Sequence, residues 1–160
     1  MHRLAIYFLT ALGWFTYAWS DAVWAAANPL QVKLTPELRV VEQHGNEQRV
    51  SYVPAKIIAQ GQEIYYTVNI VNLTNEKLRH AEVVQPVPAN THLVERSATG
   101  AGAAISYSID GGKNFITATE VRSAGNDSAA HSRITHIRWQ FRHALAPHVA
   151  VLARFRVVFD

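Results

Sequence analysis

The sequence predicts an all-β chain, two stacked antiparallel sheets, entered through a cleavable leader. Three observations carry that expectation. Period-two alternation of apolar and polar residues dominates everything after residue 30. Glycine, proline and asparagine recur between the alternating runs at short, regular intervals. No stretch after residue 27 has a convincing 3.6-residue period, and the short segment 54–60 reads as loop.

The leader comes first. Met1-His2-Arg3 is a short basic start, and residues 4–19 are apolar or small apart from Thr10 and Thr16. Those 16 residues fall short of the roughly 20 that span a bilayer. Asp21 follows at once, and Ala25-Ala26-Ala27 offers a small-residue cleavage site before Asn28-Pro29. A signal peptide over 1–27 is therefore expected, with cleavage after Ala27 and membrane contact only before it. With no cysteine in the chain, attachment of lipid through a thiol is excluded.

Residues 28–160 then make one domain by size. A chain of that length buries roughly two thirds of its unfolded surface, enough for a core without disulfides.

The strands follow in order. Residues 38–43 and 48–53 alternate about His44-Gly45-Asn46, and Gln60-Gly61-Gln62 introduces the next run. That run, 63–72, places Ile64, Tyr66, Val68 and Ile70 on one face, with Tyr65, Thr67, Asn69 and Val71 on the other. Asn72 to Asn75 closes it. A strand over 81–85 ends at Pro86 and Pro88. Asp110-Gly111-Gly112-Lys113 joins 105–109 to 114–117 as a tight hairpin, glycine supplying the positive φ. Residues 123–132 are small, polar and aperiodic, a loop. Residues 135–142 turn Ile137, Trp139 and Phe141 inward and Arg138, Gln140 and Arg142 outward. After a turn at 144–147, the run 149–159 turns Val149, Val151, Ala153, Phe155, Val157 and Phe159 one way, Arg154 and Arg156 the other. Roughly eight to ten short strands so arranged argue an antiparallel sandwich.

Charge is uneven. The chain is +3 in total, yet 28–120 carries eight basic and nine acidic groups, while 121–160 carries six arginines against Asp127 and Asp160. Such asymmetry suits acidic glycans, lipid head groups or acidic proteins and is too small to argue nucleic acid. If 135–142 and 149–159 pair as a hairpin, Arg138, Arg142, Arg154 and Arg156 share one sheet face. Guanidinium groups gathered there suit phosphate or carboxylate recognition, against the alternative of a solvated, aggregation-resistant face.

Other residues weigh less. Trp139 reads as core, and Tyr65 is the better exposed aromatic for a contact. Asp110 stands alone in its turn, whereas calcium takes about six to eight oxygens. His143 and His148 flank the last turn, but His136 would lie roughly 23 Å from His143 along the strand and His131 sits in the loop. No metal or other cofactor is expected. Asn72-Leu73-Thr74 fits a glycosylation sequon. No nucleophile elbow, zinc-binding helix motif, phosphate loop or cysteine nucleophile occurs, so no catalysis is expected.

The order of several motifs resembles the bacterial conserved-repeat domain of unknown function numbered eleven. They are residues 60–72 with their glycine turn and terminal Asn72, 83–88 with the proline break, 92–100, 107–115, 134–139, 145–147 and 153–157. The resemblance spans about 56–159. It implies an immunoglobulin-like sandwich of exported and cell-surface proteins, with no catalytic residues to carry over. Gln85 stands where many members have Asp, and Pro147-His148 stands where Pro-Gly is usual. One copy is present, where members often form tandem arrays.

The expected function is a non-catalytic envelope or surface module, structural or adhesive, in the periplasm or outside the cell. Its partner would be an envelope or surface protein or an acidic polysaccharide. A periplasmic assembly factor or chaperone working by sheet-edge pairing is the alternative. A hydrolase with residues assembled only in space is a third possibility.

Overall fold

The computed structural model describes residues 28–123 and 133–160. The leader 1–27, His131 and most of the 123–132 loop therefore lie outside the described residues. Among the described residues, nine strands and one short helix run in the order β1 (Leu30–His44), β2 (Glu47–Pro54), β3 (Glu63–Asn72), β4 (Glu82–Pro86), β5 (Thr91–Leu93), β6 (Thr99–Gly100), β7 (Ala103–Ser108), α1 (Ala118–Ser123), β8 (His136–Phe141) and β9 (Ala150–Phe159). The chain is all-β and antiparallel, as its alternation predicts.

Two sheets form. The larger has the order β2-β1-β3-β9-β5, with β6 also on β9, and the smaller has the order β4-β8-β7. Their apolar faces share one core. β3 contributes Ile64, Val68 and Ile70, β9 contributes Ala153, Phe155 and Val157, and β8 contributes Ile137, Trp139 and Phe141. Trp139 is fully buried and its ring lies 6.1 Å from that of Phe155. Its indole N–H donates to the Thr99 carbonyl at 3.1 Å, which removes the cost of burying that polar atom. Tyr66 is half-buried rather than buried; its ring stacks on Phe155 at 5.1 Å. Val149 departs from the expected inward set: it precedes β9 and is 47% exposed.

The Asp110 turn has the expected backbone, Gly111 at φ 78° and Gly112 at φ 86°. The returning segment is not a strand, however. Only Tyr107 and Ile116 bridge, through two 2.8 Å bonds, and the chain then enters α1. Thr117 caps that helix. Its hydroxyl accepts from the Glu120 N–H at 3.3 Å, and Glu120 Oε2 accepts from the Thr117 N–H at 2.6 Å. This reciprocal pair is a capping box. Ser123 closes the helix rather than opening a loop.

The largest correction concerns β8 and β9. They do not pair: β8 lies between β4 and β7, and β9 lies between β3 and β5. The segment linking them crosses from one sheet to the other. Leu145, buried within it, exchanges two 2.9 Å backbone bonds with Leu78, and this draws the connection across the end of the core instead of folding it into a hairpin.

Candidate binding face

Because β8 and β9 belong to different sheets, the four arginines divide into two pairs. Arg138 and Arg142 go with the smaller sheet. The Arg138 guanidinium sits 4.3 Å from the Phe115 ring centroid, and its Nε–H donates to Ser106 Oγ at 3.0 Å. Arg142, exposed just past the end of β8, borders an open recess of about 320 Å³ with His80, Glu82 and Gln140. A single four-arginine patch does not exist.

Arg154 and Arg156 keep a common face, the outer side of the larger sheet. Their positions alternate with buried Ala153, Phe155 and Val157, so the arginines point away from the core. Register sets their neighbours: Arg156 lies opposite Tyr65, and Arg154 lies opposite Thr67. Tyr52 of β2 reaches across β1 to Tyr65, ring centroids 5.2 Å apart at 63°. Arg154 lies 5.0 Å from the Tyr52 ring and Arg156 lies 5.6 Å from the Tyr65 ring. Both distances suit cation–π attraction, worth about 0.5–1 kcal/mol at exposed sites.

The two guanidinium groups differ in electrostatic state. Arg156 Nη1 meets Glu63 Oε2 at 3.0 Å. Burial works against its charge, but the Tyr65 hydroxyl and Glu63 outweigh that and hold its pKa above the ordinary arginine value. Arg154 makes no ion pair among the described residues and is exposed. Alongside them, Thr67 Oγ1 donates to Glu37 Oε2 at 2.6 Å. The face therefore offers Arg154 beside two aromatic rings, with exposed Arg39 opposite Tyr52 in register. That arrangement can stack on a sugar ring or an aliphatic surface while pairing with an anion.

Tyr65, singled out from sequence, is part of this cluster, though half-buried. Tyr52 was not foreseen. Alternation puts it on one face of its strand, but only the pairing of β2 with β1 decides which face that is.

The remaining candidates serve structure. Asp110 accepts from the Asn114 N–H at 3.0 Å, the Ser108 hydroxyl at 2.7 Å, the Asn114 amide at 2.7 Å and the Lys113 N–H at 3.2 Å. The Asn114 backbone bond and then Ser108 hold its carboxyl well below the usual carboxylate range. His148 Nε2 lies 3.0 Å from Asn75 Oδ1, and no group of three or more metal-ligating side chains occurs among the described residues. Asn72 is buried, its amide donating to the carbonyls of Glu76, Leu145 and Ala146. In the folded protein that side chain is inaccessible to a glycosyl donor. Among the described residues no helix is long and apolar enough to cross a membrane.

These features define an antiparallel all-β protein with a basic, aromatic sheet face. In comparisons with known proteins the chain matches no family model, no curated protein and no solved structure.

Proposed function

We propose that the protein is a non-catalytic module of the cell envelope or surface, exported by the leader 1–27 and folded as an immunoglobulin-like sandwich. It binds an acidic polysaccharide or an acidic envelope protein through the outer face of the larger sheet. The observation that carries this reading is the cluster of Arg154 and Arg156 over Tyr52 and Tyr65. The motif order that resembles the conserved-repeat family supports it further.

The test is retention on a carboxylated or sulfated polysaccharide matrix at low salt. R154E/R156E is expected to elute without retention, whereas R138E, on the opposite side of the molecule, is retained like wild type. Equal retention of all three proteins refutes the face. Fractionation of a tagged protein, with mass measurement of its N-terminus, checks export: the expected mature chain begins at Asn28.

The sheet-edge reading also has an observation behind it, since β2 is the terminal strand of the larger sheet. It predicts a stoichiometric exported subunit in a pull-down from the envelope fraction.

A further inference from the structure

β1 is longer than either of its neighbours can cover. It pairs with β3 only from Leu30 to Glu37, and with β2 only from Glu37 to His44. Beyond Glu37 the β1–β2 hairpin is a two-stranded arm, projecting roughly 23 Å at strand rise. Its tip is a two-residue turn whose first position, Gly45, has φ 60°, the requirement of a type II′ turn. A two-stranded ribbon is marginal in water by itself. Tyr52 holds the base of this arm against Tyr65, and nothing among the described residues holds its outer edge.

That edge is unusually open. The Ala55 N–H donates to the Pro36 carbonyl at 3.0 Å, and the pattern alternates from there. Gln48, Val50 and Tyr52 thus turn their N–H and C=O groups away from β1. β2 has eight residues, with no lysine and no proline before its last position. Lysine and an internal proline, two usual guards of an edge strand, are missing, and the charges present are Glu47 and Arg49. Val41 and Val50, a cross-strand pair, are 44% and 43% exposed.

We infer that two copies of this chain associate through this edge, β2 against β2, antiparallel about Val50. In that register Val50 faces the second copy's Val50, Gln48 faces Tyr52, Arg49 faces Ser51, and Glu47 faces Val53. No like charges are opposed. On one face the four strands carry a continuous row of Val41, Val50 and their two counterparts, burying apolar area now in water. Charge favours a second copy as the occupant. The chain is +3, but the arm from 38 to 53 holds Arg39, Arg49, Glu42 and Glu47 and is neutral. Two basic molecules can meet there without the repulsion they meet elsewhere. This inference is argued without the polysaccharide reading, although Tyr52 borders both surfaces.

Sedimentation equilibrium on the purified protein tests it. Wild type is expected to be a dimer. V50K places two ammonium groups directly opposite and is expected to weaken association at least ~10-fold, with an unchanged circular-dichroism spectrum. Because the chain has no cysteine, V50C gives a second readout. Paired residues in such a register lie ~5.5 Å apart at Cα, within disulfide range. Mild oxidation should link V50C into a dimer and leave V84C, equally exposed on β4, monomeric. A monomeric wild type, a dimer that survives V50K, or equal linking of V50C and V84C would each overturn the inference. So would a monomer whose β2 edge is occupied by a different protein.

Discussion

The side-chain amide of Asn72 donates to the Leu145 carbonyl at 3.0 Å, tying the end of β3 to the segment that crosses between the sheets. The same amide reaches Glu76 and Ala146, while Asn72 Oδ1 accepts from the Thr74 N–H at 3.0 Å and its hydroxyl at 2.8 Å. One buried side chain thus organises two loops distant in sequence.

Asn72→Asp should show how much depends on this. The shape is kept, but the donors are replaced by a carboxylate facing three carbonyl oxygens, a buried charge without a partner. A loss of about 3 kcal/mol is expected in urea unfolding. A loss below about 1 kcal/mol would show that the crossing segment is held by Leu145 packing alone.

Gly100 lies against the central indole. A Cβ built there would be 2.8 Å from Trp139 Cδ1 and 3.2 Å from its Nε1. G100A therefore overpacks the core, at a cost of about 1–3 kcal/mol. The displaced ring also loses its bond to Thr99, so near-ultraviolet circular dichroism should weaken with stability.

Tyr52 and Tyr65 should be coupled. A double-mutant cycle of Y52A and Y65A is expected to return about 0.5–1.5 kcal/mol of interaction energy, the range for edge-to-face rings. Additive effects would mean that the arm is not held by this contact.

Asp110 supplies a pH dependence. Its folded pKa is depressed, so its stabilising contribution is complete above the ordinary carboxylate value of 3.8 and fades as pH falls toward the lower folded value. At neutral pH, D110N should melt below wild type. The gap between the two midpoints should narrow only in acid below about pH 3.8, by differential scanning calorimetry. A gap that is constant with pH would assign the effect to side-chain shape rather than charge.

Much of this architecture was legible locally. The alternation in β3, β8 and β9 turned thirteen residues inward; nine are buried, Tyr66, Val151 and Phe159 pack against them, and Val149 is exposed. The paired glycines after Asp110 announced their turn, because positive φ at two successive positions excludes most other residues. The helix α1 was missed for a physical reason. At six residues it is too short for a helical period to appear, and its only signal is Thr117 followed three residues later by Glu120.

Alternation and turn chemistry, which act over a few residues, determined that this chain is all-β and which side chains face the core. Which strands would pair was settled only in three dimensions. Eight residues separate β8 from β9, enough for either a hairpin or a crossing, and local sequence favours neither. Burying Leu145 against Leu78 and satisfying the Asn72 amide selected the crossing. That choice set Arg154 and Arg156 beside Tyr52 and Tyr65, and put Arg138 on the far side of the molecule.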